Sequence, residues 1–438
     1  MPSATRAPCA LSPKREDTLR VRTGSAFADV SGMDAIDWET PLLRVIASVA
    51  RFRFVLFALF AAYLVGAGTG WSLEPHSVGG DWHYYAEGGR ALFGGSYGES
   101  GRGGVHLFAD HPELTTGPLS LVVARGLLVL GADGWFAAHV AIALLGLGAI
   151  FVLERAAMVA APLRHRRELQ VASLVGGLLL VRMWNELALT GHIDDALALA
   201  GLALVSWAVL SRRPYMAGFA LAAAVTCKPW AIVAAPILAA LPARRLLAFA
   251  ITPVAVACAA APFVLGDGRT LAASGKYNLG IAADSGLRML HLAAGDAPHW
   301  LRAAQLAACL AVATLAVMRG RPELVLLLAL ATKVSLDSQT VAYYSAAALF
   351  GALAYDLIGR RGALPVWTLF TYIALHSSMD VVASPTLRAE LRVAIALAPI
   401  LLLLGSRRTA MPGRLVAAHG LVPGEGGLEH ALAARQPR

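Results

Sequence analysis

Long apolar segments separated by short polar intervals make up most of this chain. The first segment begins near Phe52 and the last ends near Leu404. Segments of about 18 or more apolar residues match the hydrocarbon core of a bilayer, which is roughly 30 Å thick. The pattern therefore predicts an all-α, polytopic membrane protein with about twelve transmembrane helices.

The predicted helices comprise single segments and two broken pairs, which lie within residues 215–241 and 323–357. The single segments are Phe52–Trp71, Phe136–Leu153, Leu169–Trp184, Ala196–Leu210, Leu246–Leu265, Leu301–Met318, Leu364–Val381 and Ala389–Leu404.

Arginines in the connections set the predicted orientation, because cytoplasmic loops carry an excess of positive charge. Arg44, Arg51 and Arg53 lie before or at the start of the first helix and hold its N-terminus in the cytoplasm. The outer loops are then residues 72–133 and 266–300, and both termini are cytoplasmic. The stretches 1–50 and 406–438 are polar or rich in Gly, Pro and Arg, which predicts disordered tails flanking a membrane domain over 51–405.

The segment Leu114–Leu130 is apolar enough to cross the membrane, but the charges around it argue against a crossing. If it crossed, the following helix would place the arginine-rich loop 154–168 outside. Pro118 near its start and Arg125 in its middle also disfavour a full span. We therefore predict an interfacial helix within the first outer loop.

The segment Tyr215–Leu241 has a cationic pair at each end, Arg212-Arg213 and Arg244-Arg245. A single helix would place one pair outside, whereas a hairpin of two short helices keeps both in the cytoplasm. Lys228-Pro229 marks the predicted break, because proline interrupts a helix. Broken helices at membrane depth are tolerated where they line a cavity.

Composition supports the membrane class and excludes several others. The 438 residues are 57% hydrophobic and only 15% charged, against about 25% charged in soluble domains. The net charge of +9 comes from arginines in short loops, so no nucleic acid partner is predicted. The four cysteines show no CxxC spacing and the histidines no HExxH spacing, so the pattern supports neither a metal site nor another cofactor.

Polar residues predicted on the outer half of the membrane domain are the candidates for chemistry. Ionisable groups at membrane depth are costly and by default indicate function. Carboxylates mixed with cations near the outer interface suit transfer from an anionic lipid to a polar acceptor. The set is Asp81, His83, Glu87, Asp110, His111, His192, Asp194, Asp195, Lys228, Lys276, Arg288, Lys333, Asp337 and His376.

Three short motifs resemble those of a known family. Gly80-Asp81-Trp82-His83-Tyr84-Tyr85, the following Tyr97, and His111-Pro112 before the interfacial helix resemble the first outer loop of GT-C-type glycosyltransferases. The small-residue helix of 217–229, which ends in Lys228-Pro229, and the turn Gly191-His192-Ile193-Asp194-Asp195 resemble the polyprenol-phosphate-mannose-dependent branch, glycosyltransferase family 87. The likeness runs loosely over 60–400. The chain differs in its single proline at 112 and in Asp81-Trp82, where some branches have two adjacent acids.

The resemblance implies a GT-C-like, inverting hexosyltransferase, and the Ala-, Gly- and Arg-rich composition suits a bacterial inner (plasma) membrane. The enzyme would move one sugar, mannose, from a polyprenyl-phosphate donor to a glycolipid or glycan acceptor at the outer face, with no cofactor. Such chemistry needs a carboxylate within about 3 Å of the acceptor hydroxyl and cations on the departing phosphate. Asp81 is the expected base, and the expected phosphate ligands are Lys228, His376, Lys276 and Arg288. The expected substrate-binding residues are Trp82, Tyr84, Tyr85, His111, His192 and Asp194.

Each candidate also has a structural interpretation. Asp81 could cap a loop, Lys228 could bond carbonyls freed by Pro229, and His376 could be a packing residue. Asp194 and Asp195 could cap the helix that follows them. The remaining alternatives are a Glu87–Arg90 pair, a Lys333–Asp337 pair, and an interfacial position for Tyr343-Tyr344.

Two other function classes remain open. A transporter or lipid-linked-sugar flippase would use the broken helices to line a substrate path. A membrane acyltransferase would need a catalytic histidine, for which His111 after Asp110 is the candidate.

Overall fold

A computed structural model describes residues 41–69, 81–95, 102–131, 134–161, 166–274, 276–277, 279–293 and 295–405. These ranges are predominantly helical, which confirms the predicted all-α class. The predicted tails over 1–40 and 406–438 lie outside the described residues, as does Tyr97. Residues 41–50, predicted as part of the N-terminal tail, form a helix.

The helices in chain order are α1 (Pro41–Ala50), α2 (Arg53–Thr69), α3 (Trp82–Leu92), α4 (Leu107–Asp110), α5 (Pro118–Leu127), α6 (Trp135–Ala160), α7 (Arg166–Thr190), α8 (Ile193–Leu210), α9 (Pro214–Cys227), α10 (Arg245–Gly266), α11 (Arg269–Ala273), α12 (Leu301–Met318), α13 (Val325–Ser335), α14 (Ser345–Ile358), α15 (Val366–Tyr372), α16 (Ser378–Val381) and α17 (Pro385–Gly405). Two short strands, β1 (Gly280–Ile281) and β2 (Gly295–Asp296), pair antiparallel with Gly280 opposite Asp296.

Five helices of the described residues, α6, α7, α8, α10 and α12, are long and apolar enough to cross a membrane. The longest, α6, has 26 residues and is therefore about 39 Å long. Helices α8 and α9 pack closely because their facing residues are mostly alanine and glycine, such as Gly201 against Ala224. The bundle formed in this way places the N-terminus of α8 beside the C-terminus of α9.

The segment predicted as an interfacial helix forms α5, which ends in one 3₁₀ turn over Leu128–Leu130. Pro118 occupies its first turn, where the missing backbone N–H costs nothing. Helix α3 packs across α5 at Gly88 and Gly89, where Leu121 and Arg125 approach the backbone. Helices α3 and α5, which both lie in the segment predicted as the first outer loop, therefore pack against each other.

The break at Lys228-Pro229 is present. Helix α9 ends at Cys227, and a 3₁₀ helix of 12 residues follows over Pro229–Ala240. The Thr252 hydroxyl of α10 lies 3.2 Å from the Gly218 carbonyl oxygen near the start of α9. Because α10 begins soon after the 3₁₀ helix ends, this contact shows that the chain reverses direction at Lys228, as a hairpin requires.

The second broken pair is also a hairpin. Gly351 of α14 packs against the Leu326 backbone of α13, and Gly359 lies beside Glu323. The start of α13 and the end of α14 are therefore neighbours, and residues 336–344 form the tip. The predicted helix Leu364–Val381 is divided into α15, a π-helical turn over Ile373–Ser377, and α16.

Candidate active site

A largely buried hydrogen-bond network joins the N-terminus of α3 to the tip of the first hairpin. Asp81, at the N-cap of α3, places Oδ2 2.7 Å from His192 Nε2. The other nitrogen of His192, Nδ1, lies 2.9 Å from the hydroxyl of Tyr85, one turn into α3. The structure thus brings Asp81 into contact with the turn that contains His192.

The network continues from Tyr85 to Lys228. The Tyr85 hydroxyl donates to Asp194 Oδ1 at 2.8 Å, and Asp194 Oδ2 accepts from Lys228 Nζ at 2.5 Å. We call these five residues the Asp81–Lys228 network: Asp81, His192, Tyr85, Asp194 and Lys228. Asp194 has no solvent exposure, so its charge depends on these protein partners.

Close backbone approaches hold the network together. Gly191 has φ +79°, a left-handed conformation, and a Cβ there would lie 2.6 Å from Trp82 Cβ. The turn before α8 can therefore sit directly against the first residue of α3, next to Asp81. At the other end, the Gly117 N–H donates to the Cys227 carbonyl at 2.8 Å, which ties α5 to the Lys228 break.

A second lysine lies beside the network. Lys333 Nζ pairs with Asp337 Oδ2 at 2.6 Å, which confirms the pair proposed from the sequence. The same ammonium lies 5.4 Å from the Trp230 ring centroid and 4.8 Å from that of Tyr344, as cation–π contacts require. Trp230 in turn donates its indole N–H to Asp195 Oδ1 at 2.8 Å. The tips of the two hairpins thus meet here.

An aromatic stack connects this second lysine to Asp81. The Tyr343 ring stacks on His192 with centroids 3.8 Å apart, and Tyr344 meets Tyr343 edge to face at 4.7 Å. Tyr344 is the residue that faces Lys333. The two tyrosine rings therefore fill the space between Lys333 and the imidazole that holds Asp81.

A cavity of about 590 Å³ opens beside the two lysines. Its walls are mostly apolar and come from α9, α10 and α12, for example Val256, Phe263 and Cys309. Lys228, Lys333 and Asp337 line its polar end. Asp81 does not line the cavity and is connected to it through the Asp81–Lys228 network and through the aromatic stack.

The hydrogen-bond directions fix the protons of the network. A carboxylate only accepts, so the single Tyr85 proton goes to Asp194 and His192 Nδ1 must donate to the Tyr85 oxygen. Asp81 and His192 then share one further proton across 2.7 Å.

The hydrogen bond from His192 lowers the pKa of Asp81 against the opposing effect of burial. Burial disfavours the His192 cation, but the nearby carboxylates of Asp194 and Asp81 outweigh this effect and raise the pKa of His192.

His192 and Asp194 of the network, together with the adjacent Asp195, are residue types that can bind a metal ion. Potential ligand atoms of His192, Asp194 and Asp195 lie within 4.8 Å of one another. However, the Tyr85 hydroxyl occupies His192 Nδ1 and Asp194 Oδ1, and Lys228 binds Asp194 Oδ2. Protein donors therefore already occupy most of the positions that a metal would need. Among the described residues, Asp195 Oδ2 is buried without a hydrogen-bond partner, and its nearest cations are 3.6 and 3.7 Å away.

Comparison of the chain with protein-family models, with curated proteins and with solved structures gives no match. The geometry of the site therefore carries the functional argument.

Several residues expected at the site lie elsewhere. Lys276 is exposed, and the exposed Arg288 donates to the Leu292 carbonyl at 2.6 Å. His376 lies in the π-helical turn with its ring 5.0 Å from that of Tyr372. His111 pairs with Glu113 at 2.9 Å. None of these four side chains lines the cavity.

The three aromatic residues of the first motif have different environments. Trp82 and Tyr85 are buried, Trp82 against Gly191 and Tyr85 within the network, so their rings are not open to a sugar. Tyr84 is exposed, and its ring lies 3.9 Å from that of His83. Tyr84 is thus the member of this motif available to stack on a substrate.

Sequence reasoning missed helix α3 and did not place Lys333 among the expected phosphate ligands. The interval 72–113 was predicted as a loop, yet Trp82, Tyr85, Ala86 and Gly89 repeat at helical spacing and all are buried in α3. The small number of lysines was a second signal in the sequence that could have indicated the site. The chain has 37 basic residues but only four lysines, at 14, 228, 276 and 333, and two of these line the cavity.

Proposed function

We propose that the protein is an integral membrane glycosyltransferase with a GT-C-like arrangement of about twelve transmembrane helices, both termini being cytoplasmic. It would transfer a sugar, with mannose as the first candidate, from a polyprenyl-phosphate donor to a lipid or glycan acceptor at the outer face of the inner membrane. The observation that carries the proposal is the Asp81–Lys228 network, which connects a partly exposed carboxylate to a lysine at the polar end of an apolar cavity.

Asp81 is the proposed base. Its side chain is 42% exposed, in contrast to the buried Asp194, so an acceptor hydroxyl can reach it from solution. His192 holds one carboxylate oxygen and leaves the second to take the acceptor proton as the sugar is attacked from the face opposite the phosphate. A base in this position contributes about 10²–10⁴-fold to a rate.

Lys228 is the proposed ligand of the donor phosphate, and the cavity walls would hold the first part of the prenyl chain. An ammonium has three N–H donors, and Asp194 takes one at hydrogen-bond distance. Lys333 provides a second cation at the same end of the cavity. The proposed phosphate site therefore uses Lys228 and Lys333 rather than Lys276, Arg288 or His376, which do not line the cavity.

The test is transfer of labelled sugar from a polyprenyl-phosphate donor by purified protein in lipid vesicles. Asp81→Asn should reduce transfer by about 10²–10⁴-fold while thermal unfolding stays close to wild type. Glu87→Gln, one acid farther along the same helix, is the matched control and should retain activity. Wild-type rates in Asp81→Asn would refute the assignment of the base.

Orientation is tested separately by labelling introduced cysteines with a membrane-impermeant thiol reagent in intact cells. Val105→Cys should label from outside, and Ala160→Cys should label only after the membrane is opened. The reverse pattern would contradict both the interfacial position of α5 and an outward-facing site.

A transporter or lipid-linked-sugar flippase is the second candidate, and the meeting of two hairpin tips at one cavity favours it. Both hypotheses place a substrate beside Lys228 and Lys333. Movement of a labelled lipid-linked sugar across vesicles, without any transfer of the sugar, would support this candidate instead of the enzyme.

A further inference from the structure

We propose that His192, Tyr85 and Asp194 carry the acceptor proton from Asp81 to Lys228, which delivers a proton to the departing phosphate. This inference rests on the proposed function and deepens it. It makes Tyr85, expected from the sequence to bind sugar, a positioning residue for proton transfer.

The geometry that carries the proposal is an unbroken chain of hydrogen bonds. Its four links measure 2.7, 2.9, 2.8 and 2.5 Å in order from Asp81 to Lys228. Every member between the two ends can both accept and release a proton: an imidazole through its two nitrogens, a phenol through its oxygen, and a carboxylate through its two oxygens. The three middle residues are at most 6% exposed, so water does not interrupt the chain.

The chemical step balances without any further reactant. The acceptor oxygen forms a bond to the anomeric carbon while the bond from that carbon to the phosphate oxygen breaks, and its electron pair stays on the phosphate. The acceptor proton moves to Asp81. His192 keeps the proton that it shares with Asp81 on Nε2 and gives its Nδ1 proton to Tyr85, while Tyr85 gives its own proton to Asp194 Oδ1. His192 thereby changes from a cation to a neutral imidazole, and Asp194 becomes a carboxylic acid. Asp194 passes this proton to the Lys228 nitrogen after its carboxyl group turns to bring the protonated oxygen to Lys228. Lys228 has by then given one of its own to the phosphate.

The relay has a physical purpose in this cavity. Loss of the sugar leaves the prenyl phosphate with an additional negative charge against apolar walls, where charge is poorly solvated. Asp194 and Asp195 already place two carboxylates beside Lys228. A proton delivered by Lys228 lowers the charge of the leaving group at the point where the surroundings tolerate it least.

The test is Tyr85→Phe, which removes one hydroxyl and keeps the ring. We expect kcat to fall by about 10²-fold, the size of one acid–base contribution, with the donor KM changed by no more than about twofold. The solvent deuterium effect on kcat should also change, from a dependence on several protons in the wild type to a dependence on one. Tyr355→Phe, at a similarly buried tyrosine outside the site, is the control and should keep the wild-type values.

Three outcomes are distinguishable. Absence of transfer by the wild-type protein overturns the proposed function and this inference with it. Wild-type transfer with kcat and the deuterium effect retained in Tyr85→Phe overturns the inference alone. If Tyr85→Phe does not fold, a fluorinated tyrosine at position 85 keeps the hydroxyl but makes it more acidic, and an unchanged kcat and deuterium effect in that protein would also refute the relay.

Discussion

The Asp81–Lys228 network contrasts with a second charged network that uses similar groups in the opposite environment. This loop network joins the segment between α3 and α5 to α11 and consists of Arg102, His106, Asp110, Asp267 and Arg269. Arg269 reaches Asp110 Oδ1 and Asp267 Oδ2 at 2.7 Å each, and His106 lies 2.9 Å from Asp267. Its arginines are 58% exposed, whereas Asp194 in the first network is fully buried.

The contrast shows why equal distances do not mean equal roles. Exposed pairs are screened by water and salt and contribute little energy. Buried charges depend on their partners, because removal of one leaves the other uncompensated. The side chains differ accordingly: the loop network uses arginine, whose planar fork holds two carboxylates, and the buried network uses lysine, a compact charge that can exchange a proton. The first network ties segments together, and the second is suited to chemistry.

The largest predicted effect comes from removing the most buried carboxylate. Asp194→Ala leaves the Lys228 ammonium without its close partner and the Tyr85 hydroxyl without an acceptor. We expect a loss of about 3–5 kcal/mol in the free energy of unfolding, the usual cost of a broken buried pair. Chemical unfolding of the purified protein in detergent measures it.

A double substitution checks the cause of that loss. Asp194→Ala combined with Lys228→Met removes both charges, and an apolar replacement of a buried pair is often tolerated. The double variant should therefore be more stable than Asp194→Ala alone, with a clear interaction energy between the two sites. Additive losses would show that the ion pair is not what stabilises this part of the bundle.

The second prediction concerns the turn that brings Asp81 to His192. Gly191→Ala forces a side chain into a left-handed conformation and against Trp82. We expect a loss of about 1–3 kcal/mol in stability from the strain, and displacement of Asp81 from His192 should also reduce sugar transfer. Gly148→Ala in α6, where an added Cβ meets nothing within 4 Å, is the control and should be neutral or stabilising. Equal behaviour of the two variants would argue against the close approach.

The features of the fold that charge placement determines could be predicted from the sequence. Cationic pairs at both ends of residues 215–241 predicted that the chain turns back, and a hairpin is present at Lys228. Which charges meet could not be predicted in the same way. Asp81 and His192 lie 111 residues apart, and their contact depends on α3, which a polar-loop interpretation of the sequence hides. Lys276 and Arg288 show the limit of a prediction from charge placement. Both were expected to bind the phosphate because of their predicted side of the membrane, but neither lines the cavity.

A pH dependence follows from the Asp81–His192 pair, with an effect smaller than the first two because Asp81 is only half-buried. The pKa of Asp81 is lowered, so its contribution is complete above the ordinary value of 3.8 and is lost as pH falls. The pKa of His192 is raised, so its contribution is complete below 6.5 and is lost as pH rises. The difference in melting temperature between wild type and Asp81→Asn should therefore be greatest between pH 3.8 and 6.5. A difference independent of pH would contradict the ion pair.

The smallest predicted effect is in the loop network. Hydrogen bonds from Arg102 and Arg269 lower the pKa of Asp110, so this carboxyl is charged at neutral pH and Asp110→Asn removes a charge. Because the partner guanidinium groups are mostly exposed, we expect only a small fall in melting temperature at low salt. At 1 M salt, where screening acts over about 3 Å, the fall should vanish. The loss caused by Asp194→Ala should persist at the same salt concentration, since buried charges are screened much less. A salt-insensitive loss in Asp110→Asn would show that the loop network stabilises the protein in the same way as the buried one.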